Sequence, residues 1–231
     1  MEKGVDDADR LFANAKNKIV GCEIDGVIRG YLILSFVKGE HFIHNDMDVR
    51  EIIYETPAAL SNLMTFLHSQ ADQIDRIRIS TQDESFCHLL DDPRDGSNNL
   101  IPSIYHQSNV SGVGIMYRVL DVPQVFRELG RHNFGNVNCQ LKVTVDDSFL
   151  PENDGSTLVH FQDGLAQVVQ QGKHQVAVEL GIAHFSSLLM GTVTFDRLIQ
   201  YNLAQISDPK WVDSVTRLFR TPEKPWCTTT Y

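Results

Sequence analysis

At 231 residues, 42% apolar and 22% charged, the chain is long enough to bury one large core or two small ones, and its composition is that of a globular protein. A net charge of −10 at pH 7 argues against nucleic acid as a partner, because a phosphate backbone is bound by a basic face. No apolar run is long enough to span a bilayer, and the opening MEKGVDDADR is charged and acidic rather than a secretory leader, so a cytoplasmic protein without a membrane partner is expected.

Residues 1–16 offer at most a frayed helix. Two apolar-rich strands, 18–24 and 27–37, flank Asp25 and Gly26, a strong hairpin signal. A third strand is expected at 48–54. Thr56 is a good N-cap and Pro57 suits the first helical position; Leu60, Leu63, Met64 and Leu67 follow at helical spacing and predict one buried face. A strand at 74–80 comes next, and Asp83 can cap a brief helix carrying Phe86, Leu89 and Leu90. DDPRDGSNNL at 91–100 is the most loop-like stretch, and 101–111 reads as irregular. The domain boundary is placed near Ser111, separating 1–112 from 113–231.

The second half is expected to open with a strand at 113–120. Asp121 then caps a helix with Val122, Val125, Phe126 and Leu129 on one face. Leu141, Val143 and Val145 alternate as a half-buried strand, which Asp146, Asp147 and Ser148 stop. LPENDG at 150–155 makes a wide turn. Strands at 157–161 and 165–169 flank the hairpin signal of Asp163 and Gly164, and a further strand around 176–180 leads into the helical run FSSLLMG at 185–191. Asp208 and Pro209 start a last helix with Trp211, Val212, Val215, Leu218 and Phe219 on one stripe. The cysteines, Cys22, Cys87, Cys139 and Cys227, form no C-x-x-C pair, so free buried thiols are expected.

The segment LKVTVDDSFLPENDGS at 141–156, with the strands and the L-L-x-G helix after it, resembles a sterol-carrier-protein-like domain. The hairpin, third strand, helix, strand and helix of the first half follow the order of the later part of a GNAT-type acetyltransferase domain. Together, from Asn17 to Tyr231, the chain resembles the C-terminal two-thirds of the enhanced intracellular survival acetyltransferase family, through HNDM at 44–47, YETPAAL at 54–60, MYRV at 116–119, SFLPENDGS at 148–156 and FSSLLMG at 185–191. The resemblance implies an α+β protein: a partial, degenerate GNAT-like mixed sheet with helices, followed by a sterol-carrier-like α+β domain. It implies acetyl transfer from acetyl-CoA to a primary amine of an aminoglycoside, a polyamine or a lysine side chain, in a symmetric homo-oligomer. The family's catalytic GNAT domain, which carries the Arg/Gln-x-x-Gly-x-Gly/Ala signature for acetyl-CoA, has no counterpart here, so the chain is expected to be inactive alone.

NVSGVG at 109–114 comes near that signature, but its glycines lead towards an expected strand instead of a helix N-terminus, where backbone N–H groups hold phosphate. The strand-to-helix junction at 51–59 has no glycine. By the resemblance, the α-carboxylate of Tyr231 is the general base that takes a proton from the substrate ammonium; Trp226, the Thr run and the aromatic last residue fit a docked end. His41 and His44 with Asp46 and Asp48 could be read as a metal cluster, yet a polar connection explains them better, and no metal is expected. Glu152 and Asp154 fit turn chemistry better than an acid pair. His88, His106, His132, His160, His174 and His184 form no fixed-spacing set, there is no Gly-x-Ser-x-Gly elbow, and Ser186 and Ser187 read as helix surface. The alternative reading is a non-enzymatic module binding a hydrophobic ligand or a protein partner, with Phe185, Leu188, Leu189, Met190 and the last helix's apolar stripe as cavity walls; an ordinary packed core is the simpler use of such stripes.

Overall fold

The structure, a computed structural model, describes residues 16–38, 45–102, 104–112, 116–222 and 224–225. They fall into two compact units, divided after Gly112. Each combines a sheet with helices, as the α+β class requires.

The first unit is a four-stranded sheet in the order β1-β2-β3-β4. β1 (Lys18–Ile24) and β2 (Val27–Lys38) form a hairpin whose two turn residues, Asp25 at φ 52° and Gly26 at φ 76°, are both left-handed, the geometry that matches strand twist. β3 (Asn45–Tyr54) runs antiparallel to β2, and α1 (Pro57–His68) crosses to β4 (Ile74–Ile79), which lies parallel to β3. One sheet face packs on α1: Cys22, Leu32, Leu34, Met47 and Val49 meet Ala59, Leu63 and Leu67. The helical spacing placed Leu60 and Met64 on that buried face, but they are only half-buried, and Ala59 takes the deep position. Gly30 lets the strands and the helix approach: a Cβ there would lie 2.7 Å from the Ile53 carbonyl oxygen and 3.2 Å from Leu63 Cδ1.

After β4 the expected brief helix is a single 3-10 turn, Phe86–Leu89, with no buried residue. Asp83 does not cap it; its carboxylate accepts the Ser85 N–H at 2.8 Å, closing an Asx turn instead. The stretch expected to be irregular holds a two-stranded ribbon, β5 (Leu100–Ile101) against β6 (Tyr105–His106).

The second unit contains α2 (Val122–Glu128), β7 (Cys139–Asp146), β8 (Gly155–Gln162), β9 (Leu165–Val169), β10 (Val176–Gly181), α3 (Ile182–Leu189), α4 (Phe195–Gln200), β11 (Ala204–Ile206) and α5 (Val212–Leu218). Its sheet has the order β11-β10-β7-β8-β9, with β10 parallel to β7 and the other pairs antiparallel. The crossover from β9 to β10 is short because little return travel is needed. Val169 is level with Lys142, and Val176 pairs with Leu141, so residues 170–175 mainly span three strand spacings, about 14 Å. Cys139, Leu141, Val143 and Val145 all point inward, as the alternation requires. Burial pushes the Cys139 thiol up to about 11, so it stays protonated and unreactive at neutral pH. α3 ends in a Schellman motif at Gly191 (φ 68°), with Thr192 N–H on the Ser187 carbonyl and Gly191 N–H on the Leu188 carbonyl, both at 3.0 Å.

The expected strand at 113–120 does not form over its described part. Met116–Val119 pairs with no strand because its backbone groups go to side chains: the Val119 N–H donates to Ser186 Oγ at 2.9 Å, and its carbonyl accepts from Asn153 Nδ2 at 3.3 Å.

Candidate functional site

The parallel β3–α1–β4 unit is where a ligand site would be built. In open sheets ligands sit beyond the carboxyl ends of parallel strands, and a helix N-terminus there offers N–H groups to anions. β3 and β4 pair only from Asn45 to Val49 and from Ile74 to Ile79; β3 then runs on to Tyr54 without β4 beside it. The opening faces the first turn of α1. That turn is already satisfied. Thr56 Oγ1 accepts the Ala59 N–H at 3.2 Å, Pro57 has no N–H, and the Leu60 N–H bonds the Thr56 carbonyl at 3.1 Å. At most the Ala58 N–H is left to offer. The nearby charges are also wrong for phosphate: Glu55 precedes the helix, and the cation beside it, Arg29, is paired with it at 2.9 Å. Tyr31 donates to Glu51 at 3.3 Å, and burial together with that carboxylate pushes its hydroxyl up to about 12, so it keeps its proton at neutral pH. The residues at this junction do not fit the pyrophosphate of acetyl-CoA, the cofactor that the resemblance implies. The described part of the glycine-containing stretch, 109–112, is coil and opens no helix.

Tyr231 lies outside the described residues, as do His41 and His44. The chain leading to Tyr231 is docked as far as it is described: the Tyr117 hydroxyl donates to the Pro225 carbonyl at 3.1 Å, and Thr221 packs against Gly191, where a Cβ would collide with it. Asp46 and Asp48 serve as an ion-pair clasp, with Arg78 Nη1 on Asp46 at 3.0 Å and Arg78 Nε on Asp48 at 2.6 Å. Among the described residues no group of three His, Cys, Asp or Glu side chains is placed to hold a metal, and no helix is long and apolar enough to cross a membrane.

The polar centre of the second unit is Asp147, which the sequence reading left as one member of a strand-stopping cluster. Its carboxylate is buried and collects four donors: Arg118 Nη2 at 2.5 Å, the Phe149 and Leu150 N–H groups at 3.0 Å each, and Asn153 Nδ2 at 3.0 Å. Burial alone would raise its pKa, but the Leu150 N–H, the Asn153 amide, the Phe149 N–H and the Arg118 charge outweigh that and hold it below the usual carboxylate range. Asp154 is a turn residue that accepts the Asp147 N–H at 3.1 Å, so it is not one of a catalytic pair with Glu152. Ser186 is fully buried instead of lying on the helix surface, donating to the Ile182 carbonyl at 2.7 Å while it accepts from Val119. The bonds from Asp147 to Phe149 and Leu150 are local, but those of Arg118 to Asp147, of Asn153 to Val119 and Val122 and of Ser186 to Val119 act across tens of positions, which sequence spacing does not mark. The network anchors the backbone at Val119, Val122, Phe149 and Leu150.

The expected cavity walls form a filled core. Phe126 sits among Phe134, Phe161, Phe185 and Phe219 with ring centroids 6.0–6.4 Å away. The cavity lined by Leu129, Phe134, Leu189, Leu218 and Phe219 measures about 10 Å³, room for about one water.

The sequence matches the family "Acetyltransferase (GNAT) domain" over residues 6–119 and the family "Sterol carrier protein domain" over residues 122–228. The chain thus carries a GNAT acetyltransferase domain followed by a sterol-carrier-like domain. No curated protein matches it. Among solved structures it is similar to a GCN5-related N-acetyltransferase from Anabaena variabilis, with 19% identity and a TM-score of 0.64, covering 92% of this chain and 50% of that one. It is similar to Eis1 from Mycobacterium abscessus at 19% identity and a TM-score of 0.65, covering 97% and 53%. A protein from Enterococcus faecalis described as a probable N-acyltransferase gives 18% and 0.64, covering 90% and 48%. At these identities the likeness is one of fold, and the chain spans about half the length of these structures.

Proposed function

We propose that this chain is the architectural half of an N-acetyltransferase of the enhanced intracellular survival type, serving acetyl transfer from acetyl-CoA to a primary amine such as a polyamine, a lysine side chain or an aminoglycoside. In this reading its GNAT-like unit does not hold acetyl-CoA; a catalytic GNAT domain outside the described residues does. The observation that carries the reading is the closed N-terminus of α1, where Thr56 and Pro57 occupy the place an anion would take. The order of the two domains and the half-length match to acetyltransferase structures support it. The Tyr231 α-carboxylate keeps its proposed role as general base towards the amine substrate.

Calorimetric titration of this chain with acetyl-CoA tests the reading. No saturable binding up to millimolar ligand is the expected result. A one-site isotherm would mean that the unit has a cofactor site despite its capped helix, and the architectural reading would fall. The hydrophobic-ligand alternative gains no support from a core whose cavity holds about one water. Fluorescent fatty-acid or sterol probes are therefore expected to show no saturable uptake, and stoichiometric uptake would restore that alternative.

A further inference from the structure

We draw no further inference here: the strongest candidate, the open polar cavity of about 150 Å³ that Asp92, Arg94, Asp95, His106 and Gln107 line at the base of the β5–β6 ribbon, carries nothing, because Arg94 is already paired with Asp92, the Asp95 carboxylate already takes the Ser97 N–H and the Gln107 amide, and nothing in the structure points to a ligand.

Discussion

Replacing Phe126 by Ala is expected to destabilise the second unit by about 3–5 kcal/mol. Phe126 is completely buried and is the ring on which the core converges, with Phe134, Phe161, Phe185 and Phe219 around it at 6.0–6.4 Å between centroids. These rings come from different parts of the unit, including β8 and α3, so truncation removes contacts to several elements at once. The site has little means of collapsing, because its neighbours are themselves fixed by tilted and edge-on ring contacts. The helix that carries Phe126, α2, has seven residues, too few to persist in water without packing. Urea unfolding followed by tryptophan fluorescence is a suitable readout, as both tryptophans, Trp211 and Trp226, lie beyond residue 210. A midpoint lowered by roughly 2 M is expected for a unit of this size. A loss under about 1 kcal/mol would show that the rings repack into the space, and that Phe126 is not the keystone described here.

Asn153→Ala is expected to cost about 2–4 kcal/mol, through polar groups instead of volume. The buried Asn153 amide joins three partners: it accepts the Val122 N–H at 2.9 Å, donates to the Val119 carbonyl at 3.3 Å and donates to Asp147 Oδ2 at 3.0 Å. Truncation strands a buried N–H at the start of α2 and a buried carbonyl at Val119, and it takes one donor from a buried carboxylate. Acid should reveal the same link. Asp147 titrates below its unfolded value of about 3.9, so its contribution is complete at neutral pH and is lost as pH falls below about 4 through the folded value. Losing the Asn153 donor raises the folded value towards the unfolded one, so the variant, already less stable at pH 7, should lose less further stability than the wild type as pH falls from 7 to 3. Urea midpoints measured from pH 7 to pH 3 would show this; parallel profiles for the two proteins would mean that Asn153 does not support the Asp147 charge.

Where a rule is local, the sequence was legible. Asp25 with Gly26 and Asp163 with Gly164 turn the chain at φ values that few other residue pairs tolerate. Thr56 before Pro57, and Asp121 before Val122, start helices because each cap bonds an N–H three residues ahead. The same local reading found no glycine at the junction before α1, and the structure adds that the Ala59 and Leu60 N–H groups are already taken. Two misreadings share one cause. Residues 116–119 have the apolar content of a strand, but Val119 bonds Ser186, 67 positions away, and Asn153, 34 positions away, so no strand ladder forms. Asp147 resembles any strand-stopping aspartate until Arg118, 29 positions earlier, is brought to it.

The sequence by itself determined the order of β1 to β4 and of β7 to β10 with α1, α2 and α3, the caps of α1 and α2, the alternation that faces β7 into the core and the absence of a glycine-rich phosphate loop at the α1 junction, while β5, β6, α4 and β11 were not read from it. These follow from backbone sterics and from hydrogen bonds that reach at most a few residues. Only the tertiary structure decided which polar side chains would be buried, and that Ser186, Asn153 and Asp147 would hold backbone in place of a strand. It also decided that five phenylalanine rings would fill the space where a lipid cavity was conceivable, and that the ribbon of Leu100–Ile101 and Tyr105–His106 would face solvent. Burial and long-range pairing depend on what the remaining chain brings alongside a residue, and residue spacing carries no record of that.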